Sequence, residues 1–137
     1  MRRVLLVANR TACEQHLIDE CRRRRAEGPV SFHLLVPASH PAGTWTDDQA
    51  ERMAKERLAE ALDTLSVAGI SCTGSVGDAN PVAAVGDLLR HDRFDEIVVS
   101  TLPQGVSRWL GQNVVRRMRS AHGLPVTHVV AEPATVG

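Results

Sequence analysis

"SVGDANPVAAVGDLLRHDRFDEIVVSTLPQGVSRWLGQNVVRRM", residues 75–118, carries the pattern that decides the fold. Asn80 and Pro81 make a helix start: a short side-chain acceptor, then a residue whose missing N–H is not needed there. Val82, Val85, Leu88 and Leu89 fall on one helical face. After Phe94 the period changes. Glu96 to Ser100 is a short apolar run, suited to a strand buried on both faces. Ser107 can then cap a further helix with Leu110, Val114, Val115 and Met118 inward. Gly123 closes that helix and Pro125 bars its continuation.

The same alternation extends in both directions. Toward the amino end, Val4 to Ala8 is another continuous apolar run. Thr11 and Glu14 then have the spacing of a capping box, and Cys13, Leu17, Ile18 and Cys21 follow at helical intervals up to Gly28-Pro29. Val30 to Val36 reads as a second strand. Thr46 and Gln49 form a second capping box before a long helix whose apolar face runs through Ala50, Met53, Ala54, Leu58, Ala61, Leu62 and Leu65 to Gly69. Ile70 to Val76 is a third strand, and Val126 to Val130 a fifth.

Strict β-α alternation with helical crossovers implies α/β architecture: a five-stranded parallel sheet with helices on both faces, in one domain spanning residues 1–137. With strand order 3-2-1-4-5, the order reverses between strands one and four. Ligands in such sheets sit beyond the carboxyl ends of the strands at that reversal. The loops there are Asn9-Arg10-Thr11 and Ser100 to Ser107.

Composition narrows the function. The chain has 137 residues, 16 basic and 16 acidic, for zero formal net charge. It has two Trp, two Phe and no Tyr. Neither a nucleic acid nor an anionic membrane is indicated as a partner. Three cysteines without a C-x-x-C pair argue against a disulfide framework and a structural zinc site. The six histidines show no HxH, HxxxH or HExxH spacing, so no metal is expected. No run approaches membrane-spanning length. These features suggest a cytoplasmic protein with reduced thiols.

Several phosphate-handling families are excluded by residue. A receiver domain needs an acidic pair after strand one and a lysine after the last strand, but Asn9 and Arg10 stand at the first place. The only lysine, Lys55, lies mid-helix, which also removes a Walker-type loop. No GxGxxG follows the first strand.

What remains resembles the universal stress protein family over nearly the whole chain. "VLLVANRT" is similar to that family's opening strand, which normally ends Asp-Gly-Ser. "SVGDANPVAAVGDLLRHDRFDEIVVS" is similar to its middle, and "SRWLGQNVVRRMRSAHGLPVTHVV" to its closing helix and strand. The resemblance implies an adenine-nucleotide alpha-hydrolase-like fold, often dimeric through the last strand, with ATP bound by some members only.

In ATP-binding members the fourth strand runs into Gly-x-x-Gly and later Gly-Ser or Gly-Thr. Glycines there let backbone N–H groups approach phosphate oxygens. By the resemblance, Ser100 stands at the first glycine, Pro103 at the second and Gly111, followed by Gln112, at the later one. Proline has no N–H to offer. Arg10 places a long cation where the family has glycine. The expected function is therefore a non-catalytic regulatory or interaction protein without ordinary ATP binding and without a cofactor. The competing reading is a nucleotide- or anion-binding switch, with adenine nucleotide as ligand and weak hydrolysis as an added activity. Any pocket would be lined by Asn9, Arg10, Thr11, Gly77, Asp78, Ser100, Thr101, Gly105, Ser107, Arg108 and Gly111.

Other features have plainer expectations. Arg22 to Arg25, and Arg116, Arg117 and Arg119, read as cations complementing the carboxyl ends of helices. Asp78 is expected to bond its own backbone, and Cys72 to pack as a small hydrophobe. Cys13, near a helix start, is a candidate for a lowered thiol pKa. The strand Val126 to Val130 would lie at the sheet edge with no charge of its own, inviting a homodimer. A protein partner is compatible with the same features.

Overall fold

The structure is a computed structural model that describes residues 1–39, 46–103, 109 and 113–131. Five parallel strands form its sheet: β1 (Arg2–Val7), β2 (Val30–Pro37), β3 (Cys72–Gly77), β4 (Glu96–Thr101) and β5 (Val126–Val130), in the order β3-β2-β1-β4-β5. The expected order 3-2-1-4-5 is the observed one. Helices α1 (Gln15–Ala26), α2 (Asp47–Val67), α3 (Pro81–Leu89) and α4 (Val114–His122) cover the two faces.

Period-two alternation divides the core into two layers. Val4, Leu6, Phe32, Leu34, Val36 and Val98 pack under α1 and α2 with Leu17, Ile18, Cys21, Ala54, Ala61 and Leu65. Leu5, Val7, Leu35, Ile97 and Val99 pack under α3 and α4 with Val85, Val114, Val115 and Met118. The continuous apolar strands are thus buried from both sides, as parallel sheets require. None of the helices described is long and apolar enough to cross a membrane.

Local signals explain most boundaries. Thr46 and Gln49 form the reciprocal capping box of α2. The Asn80 carboxamide oxygen accepts from the N–H groups of Val82 and Ala83 at 3.0 and 3.3 Å. Gly123, at φ +64°, ends α4 in the left-handed region.

Two helix starts differ from expectation. Thr11 does not cap α1, whose N-cap is Glu14 without a side-chain bond. Thr11 is 2% exposed and spends its hydroxyl on a tertiary contact instead. The proposed cap at Ser107 lies outside the described residues. Asn113, at φ 56°, stands in the left-handed conformation immediately before α4, whose first residue is Val114.

A helix that begins at Val114 places two cations differently from expectation. Arg116 and Arg117 occupy the first turn of α4, not its carboxyl end; only Arg119 and His122 lie in the last turn. A cation in a first turn opposes the helix dipole, typically by about 0.3–1 kcal/mol. α4 has neither an acid in that turn nor a side-chain cap to offset it.

Candidate functional site

The structure brings some of the expected site residues together at the carboxyl ends of β1 and β4. Ser100 lies on the face of Val98, under α1. Its hydroxyl is 2.6 Å from Thr11 Oγ1 and 2.7 Å from His16 Nε2. Thr11 and Ser100 are 2% and 1% exposed. β1 therefore ends in a loop that returns to β4, and α1 begins with an imidazole placed on the same hydroxyl. A serine–histidine contact of this length has the form of a nucleophile and its base. Burial changes its meaning: the Ser100 oxygen already meets two partners and presents almost no surface to a substrate.

Asn9 is 8% exposed and engaged at both ends of its carboxamide. Nδ2 donates to the Pro37 carbonyl at 2.7 Å, and Oδ1 accepts from Arg57 Nη1. The asparagine thus ties the end of β1 to the end of β2 and to α2. Arg10, beside it, is exposed. It lies close enough to Arg57 that, with partial burial as the larger cause, it pulls the Arg57 guanidinium below its usual pKa.

The remaining candidates diverge. Thr101 faces the other layer, where its hydroxyl is 2.7 Å from His128 Nε2. Burial, then the nearby Arg119, lowers the His128 pKa below the usual imidazole value. Gly77 ends β3, with two strands between it and β4. A Cβ there would lie 2.9 Å from both Ala84 Cβ and Leu35 Cδ1, so Gly77 serves close packing of β3 on α3. Asp78 bonds the Asn80 N–H at 2.8 Å, the expected turn contact. Gly77 and Asp78 border a groove of about 720 Å³ between the ends of β2 and β3 and the start of α2. Gly105, Ser107, Arg108 and Gly111 lie outside the described residues.

Cysteine expectations are partly corrected. The Cys13 thiol, which precedes α1, is shifted up and not down, first by burial and then by Glu60. It is not an activated thiol. Burial pushes Cys21 and Cys72 to about 12, consistent with packing roles. No metal-ligating cluster of His, Cys, Asp and Glu occurs among the described residues.

The amino ends of the same strands hold a different polar cluster. Arg24, 7% exposed, bonds Glu96 Oε1, pairs with Glu20 at 3.0 Å and reaches Thr127 Oγ1 at 3.2 Å. Arg2 joins Glu96 from β1 at 3.2 Å. Arg24 is therefore not simply a solvated cation at a helix end, although Arg22 and Arg25 do bond carbonyls of Ala68 and Gly69.

His16, Arg57 and His128 escaped the reading of the sequence as site residues. Arg57 left a trace: it interrupts the apolar stripe of Ala54, Leu58 and Ala61, and a cation at such a position needs a buried acceptor. His16 left none, because its partner is 84 residues away.

A parallel sheet with polar side chains gathered where its strand order reverses defines the class of α/β proteins whose ligand sites lie at a switch point. Within that class, the fold is that of the universal stress proteins. A universal stress protein from Archaeoglobus fulgidus matches with a TM-score of 0.67 at 17% identity, covering 93% of each chain. A universal stress protein family protein from Arabidopsis thaliana with AMP bound gives 0.66 at 16% identity, over 98% of this chain and 97% of that one. A third structure, from A. fulgidus in complex with dAMP, gives 0.64 at 21% identity, over 93% and 96%. No protein-family model and no curated protein matches the sequence. The likeness is one of fold.

Proposed function

We propose that this chain is a non-catalytic regulatory or interaction protein of universal-stress type, cytoplasmic, folded as one domain, and without ordinary ATP binding. The observation that carries the proposal is the Thr11–Ser100–His16 cluster. Its groups satisfy one another at the carboxyl ends of β1 and β4, where a phosphate would need free donors. Asn9, bonded at both ends, adds to that closure. Burial of Ser100 argues against a nucleophilic role.

Thermal shift with ATP, ADP, AMP and cyclic AMP tests the reading. A nucleotide at a hundredfold excess over its Kd would add about 2.7 kcal/mol of stability. The expected result is no shift at millimolar ligand, and a clear rise overturns it. The second reading, a nucleotide- or anion-binding switch, is favoured by the AMP and dAMP complexes of similar structures. It would draw on Arg10, Arg57, Thr101 and the loop holding Gly105, Ser107, Arg108 and Gly111, with Gly77 and Asp78 at its rim. On that reading Arg10→Ala weakens the nucleotide.

The proposal includes a homodimer through β5. Among the described residues β5 pairs only with β4, and Val130 is 40% exposed at its end. An unpaired uncharged edge of this kind favours pairing with a second copy. Light scattering should give twice the chain mass, and Val130→Lys should halve it; a monomeric mass for the unaltered chain refutes the dimer.

A further inference from the structure

We infer that the groove between α3 and α4 docks an acidic segment of a partner protein, an inference that rests on the interaction role proposed above and names the partner's chemistry. The groove encloses about 570 Å³ and is lined by Val82, Asn113, Arg116, Arg117, Ser120 and Ala121. Asn113, Arg116, Arg117 and Ser120 recur at the helical intervals that place side chains on one face. Val82 and Ala121 supply an apolar floor. His122 Nε2 lies 3.0 Å from the Val82 carbonyl oxygen and fixes the two helices against each other. Gly86 permits that approach, since a Cβ there would come within 3.3 Å of the His122 ring.

Charge decides the occupant. Both arginines are exposed, and no ion pair joins either to a carboxylate among the described residues. Some exposed cations elsewhere do find a carboxylate, as Lys55 pairs with Glu51 and Arg23 with Glu20, while Arg22, Arg25 and Arg119 bond backbone carbonyls. In addition, Arg116 and Arg117 sit in a first turn where the helix itself repels them, and that turn holds no acid and no side-chain cap from Asn113. Carboxylates from outside would relieve that repulsion, and an apolar side chain would cover Val82 and Ala121. Two arginines beside an apolar floor suit a short amphipathic acidic peptide laid along the groove. A nucleic acid is disfavoured by the neutral chain and by the lack of an aromatic ring lining the groove.

The test uses the full chain and a fluorescent peptide alternating Glu with Leu, followed by anisotropy at low and high salt. A single-stranded oligonucleotide of equal charge serves as the comparison probe. We expect the peptide to bind, to weaken at high salt, and to lose at least about tenfold in affinity in the Arg116→Gln, Arg117→Gln double variant. Ser120→Leu, which fills the groove and leaves both charges, should weaken binding as well. Peptide affinity unchanged in both variants overturns the inference. So does an oligonucleotide that binds as tightly as the peptide, or a dimer mass that survives Val130→Lys and is halved by the Arg116→Gln, Arg117→Gln double variant, which would show the groove to be filled by a second copy. Failure of the peptide with flat nucleotide shifts refutes the groove alone. A nucleotide-induced rise in midpoint with peptide binding intact refutes the closed-site reading alone.

Discussion

The two ends of α1 reach β4 by opposite chemistry. At the carboxyl ends of the strands, His16 meets Ser100 in a cluster of hydroxyls and imidazole without a carboxylate in the bonds described. At the amino ends, buried Arg24 and Glu20 meet Glu96 in a network of full charges that half-exposed Arg2 joins from the rim. The spacing matches. Eight helical residues rise about 12 Å, and the four strand residues from Glu96 to Ser100 advance about 13 Å. One helix can therefore hold both contacts without bending. The difference teaches which end is committed. A buried charge is costly to leave with fewer partners, whereas a hydroxyl cluster can lose one bond and keep its shape.

The largest expected effect lies at the charged end. Glu96→Ala leaves Arg24 buried with fewer partners, and urea denaturation should show a loss on the order of 3–5 kcal/mol. Replacing Arg24 with Met and Glu96 with Leu together should recover most of it, since a well-packed apolar pair is often as stable as an ion pair. A double variant as unstable as the single would mean that packing, not charge, fixes this end.

A middle-sized effect is expected for Gly77→Ala, which drives a methyl into Ala84 and Leu35. Its cost should be about 1–3 kcal/mol. Ser100→Ala should cost about 1–2 kcal/mol, by leaving Thr11 and His16 without their shared partner. A loss from Ser100→Ala as large as that from Glu96→Ala would erase the contrast between the two ends.

The smallest effect is one of pH. Burial lowers the pKa values of His33 and His128. The unfolded chain then takes up their protons more readily than the native one. Their contribution is complete above the unfolded value near 6.5 and is lost as pH falls through the folded values. The midpoint of thermal unfolding should drop on acidification through this window. A His128→Gln variant should show a shallower drop, and an identical profile would discount His128.

The sheet was legible because its signals are local. Buried strands of Val, Leu and Ile, the Asn80-Pro81 start and the Thr46–Gln49 box each act within a few residues. Strand order also followed, because the right-handed crossovers leave few alternatives. The site was half legible. Thr11 and Ser100 were placed by topology, but the meaning of Thr11 as a helix cap was overridden by a tertiary hydroxyl contact. His16 and the role of Arg24 depend on contacts 84 and 72 residues distant, for which no nearby residue gives a sign. Arg116 and Arg117 were misplaced by one residue's backbone. Asn113 is left-handed directly before Val114, the first residue of α4, and side-chain type alone does not announce that turn.

Because α1 is pinned to β4 at both extremities, it has no free end from which to unwind. Its amides should exchange with deuterium together and only when β4 opens, in contrast to the usual gradient of fraying along a surface helix. Cutting either fastening, by Ser100→Ala or by Glu96→Ala, should restore that gradient from the side that was released.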